Sequence, residues 1–281
     1  MKKILFISLF TVFALALEAQ TDPDTSWKTE GFIGVNFSQV NLSQWTSGGE
    51  NALSLTSKLS FAANYAKDKT EWSNSIDLAY AINKSGQDDI RKNDDKIELN
   101  SKYSRKIVDH WLYSILLNFK SQFANGYLYP DDSNVVSKFM APGYLTISPG
   151  ITYKPVEYLE IMVSPATGKF TFVMDNTLSD AGAYGVDSGK TTKFEFGAYL
   201  NIHFKKDIME NVTLTSKFEL FQNYGGEGKS KNADVNWDSS LDMKINKYLT
   251  ASINAVVIYD ADVIERTQFK EVFGIGLGYK F

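Results

Sequence analysis

The chain has 281 residues, of which 43% are hydrophobic and 14% aromatic, so it can bury a core and does not have the composition of a disordered protein. Its 29 basic and 33 acidic residues give a formal net charge of -4 and are spread along the chain, which excludes a basic stripe for nucleic acid. The charge therefore identifies no partner.

The first segment has the composition of a secretory signal peptide. Residues 1–3, Met-Lys-Lys, form a positively charged start, and residues 4–17 form an apolar run. This run is about 14 residues long, which is shorter than the roughly 20 residues that a spanning helix needs. We therefore expect cleavage after Ala19, which divides the chain into a signal peptide, residues 1–19, and one barrel domain, residues 20–281.

The sequence contains no cysteine. We therefore expect no disulfide, no thiolate chemistry and no cysteine that could carry a lipid anchor. Beyond the signal peptide, no apolar stretch of the sequence is long enough to cross a bilayer as a helix. Export without disulfides fits the envelope of a Gram-negative bacterium.

Twelve segments of the mature chain alternate apolar and polar residues, which is the period-two pattern of β-strands. The sixth and seventh segments contain or border a proline, which central strands disfavour. In chain order, the segments cover residues 33–37, 53–65, 72–82, 97–103, 111–123, 145–153, 159–163, 194–204, 212–224, 235–245, 249–259 and 269–281.

The eighth segment predicts which face of each strand meets lipid. Phe194 and Phe196 belong to one face of this segment, whereas Lys193 and Glu195 belong to the other. If the polar face met hydrocarbon, a basic residue would cost roughly 2 to 4 kcal/mol near the midplane of the membrane. We therefore predict that the apolar face points to lipid and the polar face to the lumen. Aromatic residues gather near both ends of the segments, as in the two girdles of membrane barrels.

The predicted connections alternate between five short turns and six longer loops. Short periplasmic turns and longer extracellular loops are typical of bacterial outer-membrane barrels, and an even number of strands places both termini in the periplasm. The predicted fold is therefore an all-β, transmembrane antiparallel β-barrel of about 12 strands. The short turns are residues 67–70, 108–110, 155–157, 207–211 and 246–248, and the loops are residues 42–50, 84–95, 124–143, 166–192, 225–234 and 261–267.

The last residues of the chain, FKEVFGIGLGYKF, form an apolar row that includes Ile275, Leu277, Tyr279 and Phe281. This row resembles the C-terminal signal of outer-membrane proteins, which ends in phenylalanine and has apolar residues at every second position before it. The resemblance implies that the barrel-assembly machinery recognises the row. The alternative is a buried strand at the end of a soluble β-sandwich, in which the one-sided loop lengths would be a coincidence.

Two loop motifs resemble those of a known family. They are FSQVNLSQWTSGGENALSL, residues 37–55, and GKFTFVMDNTLSDAGAYGV, residues 168–186. Both are similar to motifs of an uncharacterised outer-membrane family from Bacteroidota, a domain of unknown function, and the resemblance extends over the mature chain. It implies a barrel in the cell envelope, but no functional residue. The second motif falls in the longest loop, which we expect to fold over the barrel mouth or to extend a strand past a bulge near Gly168.

Residues for catalysis are few, since the chain has two histidines and no cysteine. His203 faces the predicted lumen and His110 lies in a predicted periplasmic turn, and neither has a serine or a second histidine at a recognised motif spacing. The loop acids Asp175, Asp180 and Asp187 do not have the spacing of an EF-hand calcium loop. We therefore expect no enzyme activity, no cofactor and no metal site.

Charged residues of both signs are predicted to line the lumen. They form either a polar path for solutes or an ion-pair network that fills a closed barrel, and twelve strands lie between the about eight of filled barrels and the about sixteen of porins. We predict a narrow passive channel for small polar solutes. The alternative is a closed structural or docking barrel whose loops, including Trp45 and residues 127–129, bind a partner. The lumen-lining candidates are Lys58, Asp77, Lys120, Glu195, Lys217, Glu219 and Asp242.

The predicted location is the outer membrane of a Gram-negative bacterium, reached by export through the cleaved signal peptide. The expected partners are outer-membrane lipid and, during biogenesis, the barrel-assembly machinery. We expect no contact with nucleic acid, because the charge distribution shows no basic patch.

Overall fold

The computed structural model describes residues 26–43, 50–225 and 231–281. The predicted signal peptide and Trp45 lie outside the described residues. The described part contains fourteen strands, one helix (α1, Asn176–Asp180) and a 3-10 turn (Ala183–Gly185). The strands are β1 (Trp27–Val40), β2 (Ala52–Lys67), β3 (Thr70–Ser85), β4 (Arg91–Val108), β5 (Trp111–Ser121), β6 (Gly126–Leu128), β7 (Asp131–Ser137), β8 (Gly143–Val156), β9 (Leu159–Phe172), β10 (Thr192–Met209), β11 (Val212–Asn223), β12 (Asp234–Lys244), β13 (Leu249–Asp260) and β14 (Ile264–Lys280).

Twelve of these strands form one closed antiparallel barrel, which confirms the predicted fold. Around the barrel the order is β1-β14-β13-β12-β11-β10-β9-β8-β5-β4-β3-β2, so each strand pairs with its neighbour in the chain except where β6 and β7 intervene. Those two strands form a separate small sheet inside the loop between β5 and β8. The sixth and seventh predicted strands are β8 and β9, despite their prolines.

The register separates an apolar outer face from a polar inner face. Between β10 and β11, Leu200 lies opposite Leu220 on the outer face, and His203 lies opposite Lys217 on the inner face. The outer residues are exposed, as Phe194 is at 58%. A continuous apolar band of this kind would be unfavourable in water and is stable against hydrocarbon. Within the described residues, no helix is long and apolar enough to span a membrane.

Aromatic side chains gather at both edges of the apolar band. At the edge near the short turns, the rings of Trp111 and Tyr153 lie 4.5 Å apart. At the opposite edge, the ring centroids of Phe170 and Phe194 lie 4.8 Å apart. The two predicted girdles are therefore present, and they mark the borders of the membrane.

A bulge in β9 produces the phase change that we predicted near Gly168. Ser164 and Thr167 both point inward and are fully buried, so the alternation shifts between them. The Thr167 hydroxyl donates to Ser164 Oγ at 2.8 Å, and the Ser164 hydroxyl donates to the Pro149 carbonyl oxygen at 2.6 Å. These bonds satisfy polar groups that the bulge places inside the barrel.

The prediction that every connection on the outer side is long was wrong for two of them. β3 and β4 are joined by residues 86–90, and β13 and β14 by residues 261–263. Backbone pairing of these strands continues after the apolar alternation ends, as between Asn83 and Arg91. Outside the membrane a strand needs no apolar face, so the sequence pattern disappears before the hydrogen bonding does.

The last strand closes the barrel on the first. β14 pairs with β1 only where Gly276–Lys280 run beside Phe32–Asn36, whereas β2 pairs along all of β1. The Gly31 N–H donates to the Phe281 carbonyl oxygen at 2.7 Å, and the Phe281 N–H donates back to Gly31 at 3.0 Å. We call this contact between β1 and β14 the seam. Recognition of the terminal row by the assembly machinery stays a prediction.

The glycines of β14 leave room for side chains of β1. Gly274 and Gly276 face Asn36, whose side chain lies where a Cβ atom of either glycine would project. Gly278 lies beneath the ring of Phe32 in the same way. Because the glycines of the last strand have no side chains, the side chains of Asn36 and Phe32 can lie directly against its backbone.

We expect Gly276→Ala to weaken the seam. The new Cβ would overlap Asn36 and the Val35 carbonyl oxygen, and overpacking of this kind costs about 1 to 3 kcal/mol. The measurement is the urea midpoint for loss of the heat-modifiable gel band in detergent. Gly225→Ala is the control, since among the described residues a Cβ there would meet only Asn223, at 4.0 Å. Equal midpoints for both variants would contradict the proposed packing.

Candidate functional site

The lumen has two unlike walls. Many inward side chains of β5, β8, β9 and β10 are fully buried, and the apolar ones pack into a cluster of Leu116, Met162, Tyr199 and Phe221, the last from β11. The opposite wall, formed by β13, β14, β1, β2 and β3, carries many small polar inward side chains that are half-buried, together with the ring of Phe32 over Gly34 and Gly278. We call it the open wall. Its residues include Ser54, Thr56, Ser60, Asn64, Ser73, Ser75, Ala79, Thr250, Ser252 and Asn254.

A layer of charged side chains crosses the middle of the lumen. Lys96 Nζ lies 2.7 Å from Glu98 and 3.4 Å from Asp238, and β4 and β12 stand on opposite sides of the barrel. Lys217 Nζ lies 3.6 Å from Asp77, which joins β11 to the opposite strand β3. We call this set the central layer. It consists of Asp77, Lys96, Glu98, Lys120, Lys217, Glu219 and Asp238, and it includes an ion pair between Lys120 and Glu219.

Neutral side chains complete the hydrogen bonding of the carboxylates in the central layer. Tyr199 and Asn236 donate to Glu219 at 2.8 and 3.0 Å. Asn254 donates to Asp238 at 2.7 Å. Partly buried charges are tolerated when they are both paired and hydrogen-bonded, so the layer is stable as a network rather than as separate ion pairs.

A second charged group lies nearer the outer mouth. Lys169 Nζ lies 2.5 Å from Asp234 and 3.6 Å from Glu195. Lys193 Nζ lies 3.2 Å from Glu195 and 2.5 Å from Asp262, in the β13–β14 connection. Glu195 is therefore buried between two lysines, and the group ties β9 and β10 to the opposite rim.

The loop between β9 and β10, residues 173–191, folds into a compact cover that we call the lid. Leu178 and Val186 of the lid pack with Val173 and with Ala141 of the β5–β8 loop. Lys138 of that loop pairs with Asp175 at 2.5 Å. Asp175 also caps α1, because its carboxylate accepts the Leu178 N–H at 3.1 Å.

The lid reaches over the mouth toward the β13–β14 connection. Gly185 is so close to Asp262 that a Cβ atom on the glycine would lie 2.8 Å from the aspartate side chain. The Tyr184 hydroxyl donates to the Val136 carbonyl oxygen at 2.6 Å. Burial raises the pKa of Tyr184 to about 12, so the phenol keeps the proton that it donates. Both alternatives for the longest loop are found, since β9 extends to Phe172 and the lid folds over the mouth.

The structure brings four of the seven predicted lumen residues together. Asp77, Lys120, Lys217 and Glu219 belong to the central layer, whereas Glu195 belongs to the outer group. The other two do not join either group: Lys58 lies on the open wall, and Asp242 is exposed near the short turns, where Ser240 donates to it at 3.0 Å. Lys96, Glu98 and Asp238 also lie on the face that the sequence predicts to line the lumen, but their pairing could not be predicted, because the period of two gives the face of a residue and not its partner.

The two histidines lie in the barrel and its short turns, whereas the three loop acids belong to the lid. His110, in the short turn between β4 and β5, has its Nδ1 atom 2.7 Å from the Lys154 carbonyl oxygen, and His203 faces the lumen opposite Lys217. Asp175 is held by Lys138 within the lid. Across residues 26–43, 50–225 and 231–281, no three or more histidine, aspartate or glutamate side chains form a group that could hold a metal ion.

The closed sheet has an apolar outer face between two aromatic girdles, and it surrounds a charged lumen. This is the arrangement of a barrel in a membrane. The fold is that of an outer-membrane β-barrel. Lipid contact follows from the exposed apolar band, whereas other partners are a matter for proposal.

Comparisons with known families match this barrel in two parts. Residues 37–127 match a family described as protein of unknown function (DUF3078), and residues 170–281 match another described as protein of unknown function, DUF481. The resemblance to a family of unknown function is thus confirmed, but as two partial matches rather than one, and the bacterial phylum stays a prediction. A search of curated protein sequences found no match.

Solved structures that resemble the barrel have unlike activities. The COG4313 outer membrane channel from Pseudomonas putida F1 is 12% identical, covers 93% of this chain and 99% of its own, and has a TM-score of 0.42. The translocator domain of autotransporter NalP from Neisseria meningitidis is 8% identical, covers 100% of this chain and 96% of its own, and has a TM-score of 0.38. Outer membrane phospholipase A from Escherichia coli is 11% identical, covers 93% and 95%, and has a TM-score of 0.40. These likenesses assign no activity to this chain.

Proposed function

We propose that the protein is a narrow passive route for small polar solutes across the outer membrane of a Gram-negative bacterium. The observation that carries the proposal is the open wall. Its many small polar side chains are half-buried, whereas many side chains of the facing wall are fully buried. Hydroxyl and amide groups on a wall of this kind replace part of the hydration of a passing solute. The route follows β13, β14, β1, β2 and β3 past the central layer.

The lid and the central layer set the constrictions of the proposed route. The lid narrows the outer mouth, and the pair between Lys217 and Asp77 narrows the middle by joining opposite strands. Ion pairs in contact with water exchange partners at little cost, so a polar solute can pass beside them. We propose no catalytic role, and we propose outer-membrane lipid and the assembly machinery as the partners of the barrel.

A closed docking barrel is the second candidate. It is favoured by the span of the central layer across the lumen and by the apolar contacts that hold the lid. The β6–β7 hairpin would supply the docking surface, because Leu128 is 70% exposed there. In this case the interior ion pairs stiffen the barrel and solute does not pass.

Conductance of the purified barrel in a planar bilayer separates the two candidates. We expect reproducible steps from the wild type, and we expect the double variant Asp77→Ala with Lys217→Ala to raise the step size roughly twofold, since the narrowest section limits conduction. Both partners are removed so that neither charge is left unpaired. Asp109→Asn, in an exposed periplasmic turn, is the control. A folded barrel that is silent in both forms would favour the docking candidate.

A further inference from the structure

Lys58 differs from the charges around it. It belongs to β2, faces the lumen from the open wall and is half-buried. Among the described residues, its ammonium group has no hydrogen-bond or ion-pair partner, whereas each lysine of the central layer lies within 4 Å of a carboxylate. Lys58 is therefore a lumenal cation without a counter-ion from the described part of the chain.

The neighbours of Lys58 in the register carry no charge. Lys58 lies between Gly34 on β1, over which the ring of Phe32 lies, and Ala79 on β3. The carboxylate of Asp77 lies one position further along this face, opposite Ser60. It already accepts the Ser60 hydroxyl at 2.7 Å and faces Lys217 across the lumen.

A lumenal ammonium group without a carboxylate partner can take an anion from the solute as its counter-ion. Hydrogen bonds that join an ammonium group to a carboxylate or phosphate are stronger than those between neutral groups. Thr56 stands next to Lys58 on the same inward face of β2, and its hydroxyl is a donor of the kind that carboxylate and phosphate oxygens accept.

We propose that Lys58 is the anion-binding position of the lumen and makes the route prefer small anions, such as carboxylates and phosphates, over cations. This inference rests on the proposed route, because it names the class of solute that the route accepts. The central layer holds four carboxylates and three lysines, and each of these lysines lies within 4 Å of a carboxylate, whereas Lys58 is a lumenal cation that an anionic solute on the open wall can approach directly.

The reversal potential across a potassium chloride gradient tests the preference directly. We expect the wild type to be anion-selective, Lys58→Gln to be nearly unselective and Lys58→Glu to be cation-selective. Lys244→Glu is the matched control. Lys244 is exposed at the end of β12 near the short turns, so this substitution should change the permeability ratio little. A permeability ratio that does not change in Lys58→Glu would overturn the inference.

Chemical labelling gives a second readout that does not depend on conduction. The chain has no cysteine, so Thr56→Cys introduces a single thiol beside Lys58. We expect an anionic methanethiosulfonate reagent to label this thiol severalfold faster than a cationic one, and we expect Lys58→Gln in the same background to remove the difference. Equal rates with Lys58 present would overturn the inference and leave the route itself standing. Faster anionic labelling of a barrel that conducts nothing would support the anion position and refute the route.

Discussion

Removing the lid is expected to raise the conductance of the barrel by more than any single substitution. The Val173 N–H donates to the Thr191 carbonyl oxygen at 2.8 Å, so the two ends of the lid are already paired. Deleting residues 175–189 and joining the ends through two glycines therefore keeps β9 and β10 in register. The deletion removes Gly185 from its position beside Asp262 and opens the mouth. We expect single-channel steps at least about twofold larger, because access through the mouth then no longer limits conduction.

A matched control keeps the lid and changes only its surface charge. Asp187 is exposed on the lid, and Asp187→Asn should leave the step size unchanged. The deletion variant must also show the heat-modifiable gel mobility of the folded barrel. If the folded deletion variant conducts like the wild type, the lid does not limit access and the middle of the lumen must do so.

Acid should weaken the attachment of the lid and therefore raise the conductance, as the deletion does. The hydrogen bond from Lys138 is the main reason that the pKa of Asp175 lies below its ordinary value, and the Leu178 N–H lowers it further. A lowered pKa in the folded lid means that the carboxylate stabilises the lid above its ordinary pKa of about 3.9 and that this contribution is lost as the pH falls through the lowered value. We expect conductance to rise below about pH 4 and Asp175→Asn to weaken that pH dependence.

Replacing Glu98 is expected to destabilise the barrel more than any other change in the lumen. Glu98 is 5% exposed, pairs with Lys96 at 2.7 Å and accepts a hydrogen bond from Asn118 at 3.3 Å. Glu98→Gln keeps the volume but leaves lysines of the central layer with one carboxylate fewer. Lys96 keeps Asp238 at 3.4 Å, so the expected cost is that of a lost charged hydrogen-bond partner in a buried network, about 1 to 3 kcal/mol. The urea midpoint of the heat-modifiable gel band measures the loss.

Two further variants test whether the loss of stability comes from the ion-pair network or from the replacement of glutamate by glutamine in general. Glu157→Gln, in the exposed turn between β8 and β9, should not change the midpoint. Lys96→Met combined with Glu98→Gln and Asp238→Asn should recover part of the loss, since none of these three partners then keeps a charge. If the free energy of unfolding of Glu98→Gln lies within about 0.5 kcal/mol of the wild-type value, water rather than the network stabilises these charges.

The faces of the strands could be predicted from the sequence because the side-chain period of a strand is a local property. Phe194 and Lys193 lie on opposite faces wherever the strand is placed, and the cost of a charge in lipid then decides which face is outside. The count of twelve barrel strands followed from the same pattern and from the turns between the segments. Turn residues with a positive φ, such as His110 and Asn211, connect strands that the pattern had already located.

The partners of the charged residues could not be predicted in this way. Lys96 and Asp238 meet across the lumen although they are far apart in the chain, and their contact depends on how the closed barrel staggers its strands. The lid posed a similar difficulty, since the role of Asp175 depends on Lys138 in another loop. Pairing that continues beyond the membrane, as at Asn83 and Arg91, leaves no alternation to detect.

The short seam between β1 and β14 has a mechanical consequence. Along most of β14 the neighbour on one side is β13, whereas β1 accompanies it only over Gly276–Lys280. A pulling force on the C-terminus would load the few hydrogen bonds of the seam together with the end of the β13–β14 ladder. In force spectroscopy of the barrel, the sheet should therefore unzip hairpin by hairpin from β14, and the first rupture should report the strength of the seam.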